Sequence, residues 1–162
     1  MKLSRVLVLG AAAAALSAGA SAQGLPTTKV LTIDVAQTIA QQALAKCRES
    51  NYKVTVTVVD SGNVLKAFLR DDGAAIGTVE FGRMKINSVM AFGRPSGPPA
   101  NLPPGATPPP PPLPNTTNAM GGVPIKVGDQ LIGAVSVSGA PGGDKDAVCA
   151  SAGLAAVADK LK

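Results

Sequence analysis

Carboxylates are the first candidates for acid–base chemistry in this chain, because its 162 residues include no histidine. A Ser/His/Asp triad, a Cys/His dyad and a histidine-ligated metal centre are therefore excluded. The aspartates beside glycines or at predicted helix starts are typical of turns and helix caps, and no pair has the spacing of an acid–base couple or a calcium loop. These residues are Asp60, Asp71, Asp72, Asp144 and Asp146.

A glycine-rich loop over Gly139–Gly143 precedes a predicted helix and could bind an anion on its backbone amides. The loop fits neither the dinucleotide-binding nor the P-loop pattern. Asp144 and Asp146 follow it and would repel a phosphate. We therefore interpret the loop as a connection between a strand and a helix.

The first 22 residues have the pattern of a removable export signal. Lys2 and Arg5 precede an apolar, alanine-rich stretch and the small-residue cleavage motif Ala20-Ser21-Ala22. The apolar stretch is shorter than the ~20 residues that span a membrane. We expect cleavage after Ala22, no membrane anchor after cleavage, and a periplasmic or secreted single domain over residues 23–162.

Two cysteines, Cys47 and Cys149, would reach an oxidising compartment in an exported chain, and a disulfide between them is then allowed. Such a bridge would close a loop of about a hundred residues and contribute ~4–5 kcal/mol on the chain-entropy model. Two small buried thiols are the other interpretation. The sequence leaves both open.

Charge and aromatic content argue against a nucleic-acid partner. Removal of the leader takes Lys2 and Arg5 with it and lowers the net charge from +5 to +3. The remaining basic residues are scattered, and one tyrosine, three phenylalanines and no tryptophan give no base-stacking surface.

The spacing of apolar residues places these side chains on three helices. Repeats of three and four predict helices over residues 32–51, 78–91 and 144–161. Thr32, Thr78 and Asp144 are the expected N-caps.

Alternating residues between the helices predict two β-hairpins. The first has strands over 54–58, expected to be half-buried, and 64–70; the second has strands over 123–127 and 131–138. The turns are too short for crossover connections, so we predict an α+β domain with an antiparallel sheet, in the order helix, hairpin, helix, long loop, hairpin, helix.

The long loop covers residues 93–120 and holds 11 of the 14 prolines, all between Pro95 and Pro114. Proline at this density excludes helix and sheet. The loop is either a surface spacer or an arm that a partner protein recognises.

Five strings of residues occur in one order along the chain: Val54–Asn63, Arg70–Ala74, Lys85–Pro95, Gly121–Ile125 and Gly133–Gly139, the last followed by Asp146. Over about residues 32–161 the series resembles the GlcG/HbpS family of haem-binding or haem-degrading-like proteins, which is similar to the C-terminal domain of PduO. The resemblance implies a profilin-like sheet flanked by helices, a homo-oligomer, and binding of haem or another planar tetrapyrrole.

The resemblance also implies a set of binding residues. Ser88 stands where a relative has a hydroxyl that contacts haem iron, and Lys85 and Arg70 are the matching basic positions. With Arg94 they could pair with the haem propionates. Other ligands for the iron in a chain without histidine are Met84, Met90, Met120, Tyr52, Lys85 or a free cysteine.

Three of these residues, and the neighbouring Phe92, also have an ordinary interpretation. Arg70 is a solvated strand end, Lys85 a charge on a helix surface, and Met90 and Phe92 members of the core. The function that the resemblance favours is an exported, non-catalytic haem-binding protein for transport, sensing or buffering. The alternatives are an enzyme or accessory of tetrapyrrole or glycolate-like small-acid metabolism, and a structural protein that docks through the proline-rich arm.

Overall fold

The computed structural model describes Gly24, residues 27–98 and residues 113–162. The export signal and residues 99–112 of the proline-rich loop therefore lie outside the described residues. The elements follow in the order α1 (Ile33–Arg48), β1 (Thr55–Asp60), β2 (Leu65–Arg70), α2 (Gly77–Phe92), β3 (Gly122–Val127), β4 (Gln130–Ser138) and α3 (Gly143–Ala155), with a short 3-10 helix over Ala158–Lys160. The predicted α+β class and element order are confirmed. None of the helices in the described ranges is long and apolar enough to cross a bilayer.

The four strands form one antiparallel sheet in the order β2-β1-β4-β3. The two predicted hairpins meet through β1 and β4, where Val56 pairs with Val137. Helices cover both faces of β1, so the expectation that the strand is half-buried is wrong: Thr55 and Thr57 are buried like the neighbouring valines.

Helices α1 and α3 pack on one face of the sheet and α2 packs on the other. Under α1 and α3 lies the larger core, built from aliphatic residues such as Val54, Val56 and Val137. Under α2 lies a smaller cluster of Val59, Ile86, Val89 and Ala134. The predicted layering of helices around a sheet is confirmed.

A disulfide joins Cys47 of α1 to Cys149 of α3, with 5.5 Å between the two Cα atoms. The two helices approach closely nearby, because Gly153 of α3 has no side chain: a Cβ there would lie 2.5 Å from the carbonyl oxygen of Ile39. Of the two interpretations that the sequence left open, the bridged pair is the one in the structure.

The helix starts are only partly as predicted. The Thr32 hydroxyl accepts the N–H of Val35 at 3.4 Å and caps α1, as expected. Thr78 and Asp144 are wrong as caps, because α2 begins at Gly77 and α3 follows Gly142, at φ 135°. The Thr78 hydroxyl instead donates to the carbonyl of Ala75 at 2.6 Å.

The last helix is shorter than predicted. It ends at Ala155 instead of continuing to residue 161. Val157 leaves the helical conformation at φ −124° and has no exposed surface. The helix therefore ends early, and the Val157 side chain is buried in the core.

Candidate functional site

A cleft of about 450 Å³ opens at the C-terminal end of β4, where three parts of the chain meet. The N-terminal half of α2 forms one wall, the β4–α3 connection forms the other, and Ala119 closes one side. Glycine is needed here: Gly139 and Gly142 have φ of 131° and 135°, and a Cβ on Gly143 would lie 2.8 Å from the carbonyl oxygen of Met120.

A buried ion pair forms the floor of the cleft. Lys85 Nζ lies 2.6 Å from Asp146 Oδ2, and the two side chains are 1% and 5% exposed. The ammonium also donates to the carbonyl of Val137 at 2.8 Å, while Asp146 Oδ1 accepts the N–H of Ala140 at 2.9 Å. The pair therefore links α2 to α3 around the end of β4.

Burial opposes the charge on both members of this pair. It lowers the pKa of Lys85 and raises the pKa of Asp146, in each case against the attraction of the partner. The Val137 carbonyl accepts from the ammonium and the Ala140 N–H donates to the carboxylate, so both charged forms have hydrogen-bond partners besides each other. Three hydrogen bonds therefore hold the two side chains at the floor of the cleft.

Phe81 gives the cleft an aromatic wall. Its ring centroid lies 5.6 Å from Lys85 Nζ, which is within the range of a cation–π contact. The ring is 42% exposed, so it can still contact a ligand. The cleft thus combines an apolar, aromatic surface with one buried cation.

Ser88 lies outside the cleft, and its hydroxyl is hydrogen-bonded within the chain. It is 3% exposed, and its hydroxyl accepts the N–H of Thr117 at 2.8 Å and donates to the carbonyl of the same residue at 2.8 Å. It is not among the described residues that line the cleft. Contact with iron would require these bonds to open, and that role stays a prediction.

The two candidate arginines lie outside the cleft. Arg70 is exposed and donates to the carbonyl of Ala74, next to Ala75 on the cleft rim, which agrees with a solvated strand end. Arg94 donates to the carbonyl of Gly97 at 2.8 Å and lies 5.5 Å from the ring centroid of Phe92. Phe92 is 45% exposed, so its assignment to the core is wrong.

Of the three candidate methionines, Met120 borders the cleft, since a Cβ on the cleft residue Gly143 would lie 3.1 Å from its Cβ. Met90 packs against the cluster under α2, as its core interpretation predicts, and Met84 is half-buried one turn before Ser88. Tyr52 packs against the larger core. Both cysteines are bridged, so neither provides a thiolate.

Sequence reasoning missed the partnership between Lys85 and Asp146. The interpretation of Lys85 as a surface charge is wrong because it shares the buried face of α2 with Gly82, Ile86 and Val89. That stripe has the spacing of three and four that marks a buried helix face. Because a buried charge is normally paired, a lysine on a buried helix face predicts a buried carboxylate elsewhere in the chain.

Comparison with known proteins gives one family and several related folds. The model of the HbpS-like family, described as haem degrading protein HbpS-like, matches residues 31–155. The crystal structure of HbpS is 24% identical over 81% of this chain and 92% of that chain, with a TM-score of 0.68. No curated protein matches the chain.

Two further crystal structures share the fold. Protein ORFY of Klebsiella pneumoniae is 23% identical over 83% of this chain and 94% of that chain, with a TM-score of 0.68. The PduOC:heme complex is 19% identical over 79% of this chain and 95% of that chain, with a TM-score of 0.66. At these identities the likeness shows the fold.

Proposed function

We propose a function for this chain from its family: it belongs to the HbpS-like family of haem degrading proteins, whose model matches residues 31–155. The chain binds haem, or a similar planar tetrapyrrole, at the cleft between α2 and the β4–α3 connection. The observation that carries this assignment is the pairing of an apolar wall at Phe81 with a buried cation at Lys85 in one cleft of about 450 Å³.

The residues of the cleft fit the two chemical parts of haem. The macrocycle is apolar and favours aliphatic and aromatic surface, which Phe81, Ala119 and Ala140 supply. A propionate needs a donor, and lysine has three N–H groups. Within the described residues Lys85 uses two of them, on Asp146 and Val137, which leaves one for a propionate oxygen.

The proposed role is binding without turnover, in an exported protein that forms a homo-oligomer. The chain has no histidine, the residue that most often acts as a general acid or base. The carboxylate in the cleft, Asp146, is already bonded to Lys85 and Ala140. A protein of this kind would carry, buffer or sense haem outside the cytoplasm.

Titration with hemin tests the site when one variant fills the cleft and a matched variant does not. Ala75 is exposed on the cleft rim, and Ala45 is exposed on α1, on the other side of the sheet. We expect a saturable Soret shift for the wild-type chain and for Ala45→Trp. For Ala75→Trp we expect at least a tenfold weaker Kd, because the indole occupies the space of the ligand.

Two results would contradict the assignment. Absence of a saturable shift at micromolar hemin removes haem as the ligand. Equal affinity of Ala75→Trp and Ala45→Trp moves the binding surface away from the cleft. Addition of ascorbate in air to the loaded protein then tests turnover: a stable Soret band supports binding alone, while bleaching with release of a bile pigment shows degradation.

A further inference from the structure

All three phenylalanines of this chain lie at its surface. Phe68, Phe81 and Phe92 are 40%, 42% and 45% exposed, whereas the buried hydrophobic residues in the described part of the chain are all aliphatic residues or cysteines. Exposed aromatic residues that lie beside other apolar groups mark interaction surfaces. Phe81 belongs to the cleft already described, and Phe68 lies in a separate groove.

The groove with Phe68 runs between the edge strand β2 and the flank of α2. It encloses about 310 Å³ and is lined by Thr57, Leu65, Phe68, Val79, Glu80 and Arg83. It exists because α2 packs over β1, β4 and β3 and leaves the outer strand uncovered. Leu65 is 55% exposed, and Ile76, one helical turn before Val79, is 79% exposed.

The rim of the groove carries one charge of each sign. Glu80 and Arg83 lie three residues apart on α2, and neither forms an ion pair within the described ranges. Arg83 donates to the carbonyl of Asn63 at 3.0 Å, which holds its guanidinium on the groove side. A partner that pairs with both charges must place a cation against Glu80 and an anion against Arg83, at the same spacing.

We propose that the groove is occupied by a second copy of this chain, with the two α2 helices antiparallel around a two-fold axis. This arrangement sets Glu80 of each copy against Arg83 of the other and buries Phe68 and Leu65 of both. An isologous contact of this kind is self-complementary by construction. The inference rests on the proposed self-association and specifies its surface.

Pairing of the two edge strands does not provide an equally good contact. In an antiparallel β2–β2 ladder centred on Phe68, Lys66 of one copy lies opposite Arg70 of the other. Like charges at directly opposed positions destabilise a ladder, and lysine on an edge strand is a common protection against such pairing. The helix flank is therefore the contact surface.

Charge reversal tests this surface by sedimentation velocity of the purified chain over a concentration series. In Glu80→Arg two arginines oppose each other, and in Arg83→Glu two glutamates do. We expect the mass of each single variant to fall to half the wild-type value or less at the same concentration. In the double reversal E80R/R83E the opposite charges meet again, so the wild-type mass returns. Lys126→Glu, on the exposed side of β3, is the control and keeps the wild-type mass.

The outcomes separate the surface from the self-association itself. A wild-type chain that stays monomeric overturns the self-association and with it the assigned surface. A wild-type oligomer whose mass is unchanged in both single variants overturns the assigned surface alone. Far-UV circular dichroism of every variant identifies loss of folding. An unchanged hemin affinity in the charge-reversal variants would show that the groove acts separately from the proposed haem site.

Discussion

At the scale of single residues, the Lys85–Asp146 pair decides the geometry of the candidate site. A buried ion pair contributes little net stability, because desolvation of both charges offsets their attraction. Its effect is positional: Asp146, in the first turn of α3, holds the β4–α3 connection through the N–H of Ala140, and Lys85 links Asp146 to the Val137 carbonyl of β4. The walls of the cleft therefore keep one arrangement.

Removal of one member of the pair should be costly. In Lys85→Met the carboxylate of Asp146 stays buried without its cation, so we expect a loss of about 3–5 kcal/mol in the free energy of unfolding. In the double variant K85M/D146N the amide keeps an oxygen for Ala140 and carries no charge. It should recover ~1 kcal/mol or more of that loss. Urea unfolding measures both, and a double variant less stable than Lys85→Met contradicts this account.

Asp71 gives the fold a dependence on pH. It is 3% exposed, and its Oδ1 accepts from Arg48 at 2.7 Å and from the N–H of Asp72 at 2.9 Å. The hydrogen bond from Arg48 lowers the pKa of Asp71 despite the opposing effect of burial. Because the folded-state pKa is below that of the unfolded chain, the ionised carboxylate stabilises the fold above the ordinary value of about 4.

The stabilisation by Asp71 should disappear as the pH falls from about 5 through the lowered pKa of the folded state. We expect Asp71→Asn to be less stable than wild type at pH 7 and to approach wild-type stability near pH 2. Arg48→Gln should give the same convergence, because Arg48 is the main cause of the shift. Urea unfolding at several pH values measures this, and a constant difference across the series would show that Asp71 acts through packing alone.

At the scale of elements, the contact between α1 and α3 depends on one covalent bond and one glycine. The bridge of Cys47 and Cys149 closes a loop of 102 residues, and Gly153 lets the two backbones approach. Helix α3 also provides two residues of the cleft, Gly143 in its lining and Asp146 in its floor. The bridge therefore stabilises the element on which the candidate site depends.

Removal of the bridge should lower the stability of the whole domain. For the double variant C47A/C149A we expect a loss of ~4–5 kcal/mol in the free energy of unfolding, from the larger entropy of the unfolded chain. Dithiothreitol should produce a similar loss in the wild-type chain and no change in the variant. An unchanged wild-type midpoint in the reductant, with both thiols shown to be free, would contradict this.

At the scale of the whole molecule, export and the bridge are linked predictions. Disulfides form outside the reducing cytoplasm, and the export signal predicted over residues 1–22 would provide the route. We expect mass spectrometry of the exported chain to find Gln23 at its N-terminus and no free thiol. Ala22→Arg should block cleavage, because the residue before the cut must be small, while Ser21→Gln should not. Full-length protein retained in the cytoplasm would disprove the export signal.

The sequence by itself determined the order of the elements, the two hairpins and the antiparallel class. The spacing of apolar residues, every second residue in a strand and every third or fourth in a helix, is a local property. It therefore predicts the strand over Val54–Val58 and the helix over Ala36–Cys47 without information on the rest of the chain. Helix ends were less predictable: whether Thr78 caps α2, or Val157 stays in α3, depends on what lies beneath each residue. The family resemblance likewise rests on short residue strings in a fixed order along the sequence.

Only the tertiary structure decided which side chains meet. Lys85 and Asp146 are 61 residues apart in the sequence. The residues around each of them do not indicate that the two side chains are buried together. Ser88 and Lys85 are neighbours on one helix, yet one faces the loop at Thr117 and the other the end of β4. The physical reason is that desolvation and pairing are properties of the packed chain, while periodicity is a property of the segment.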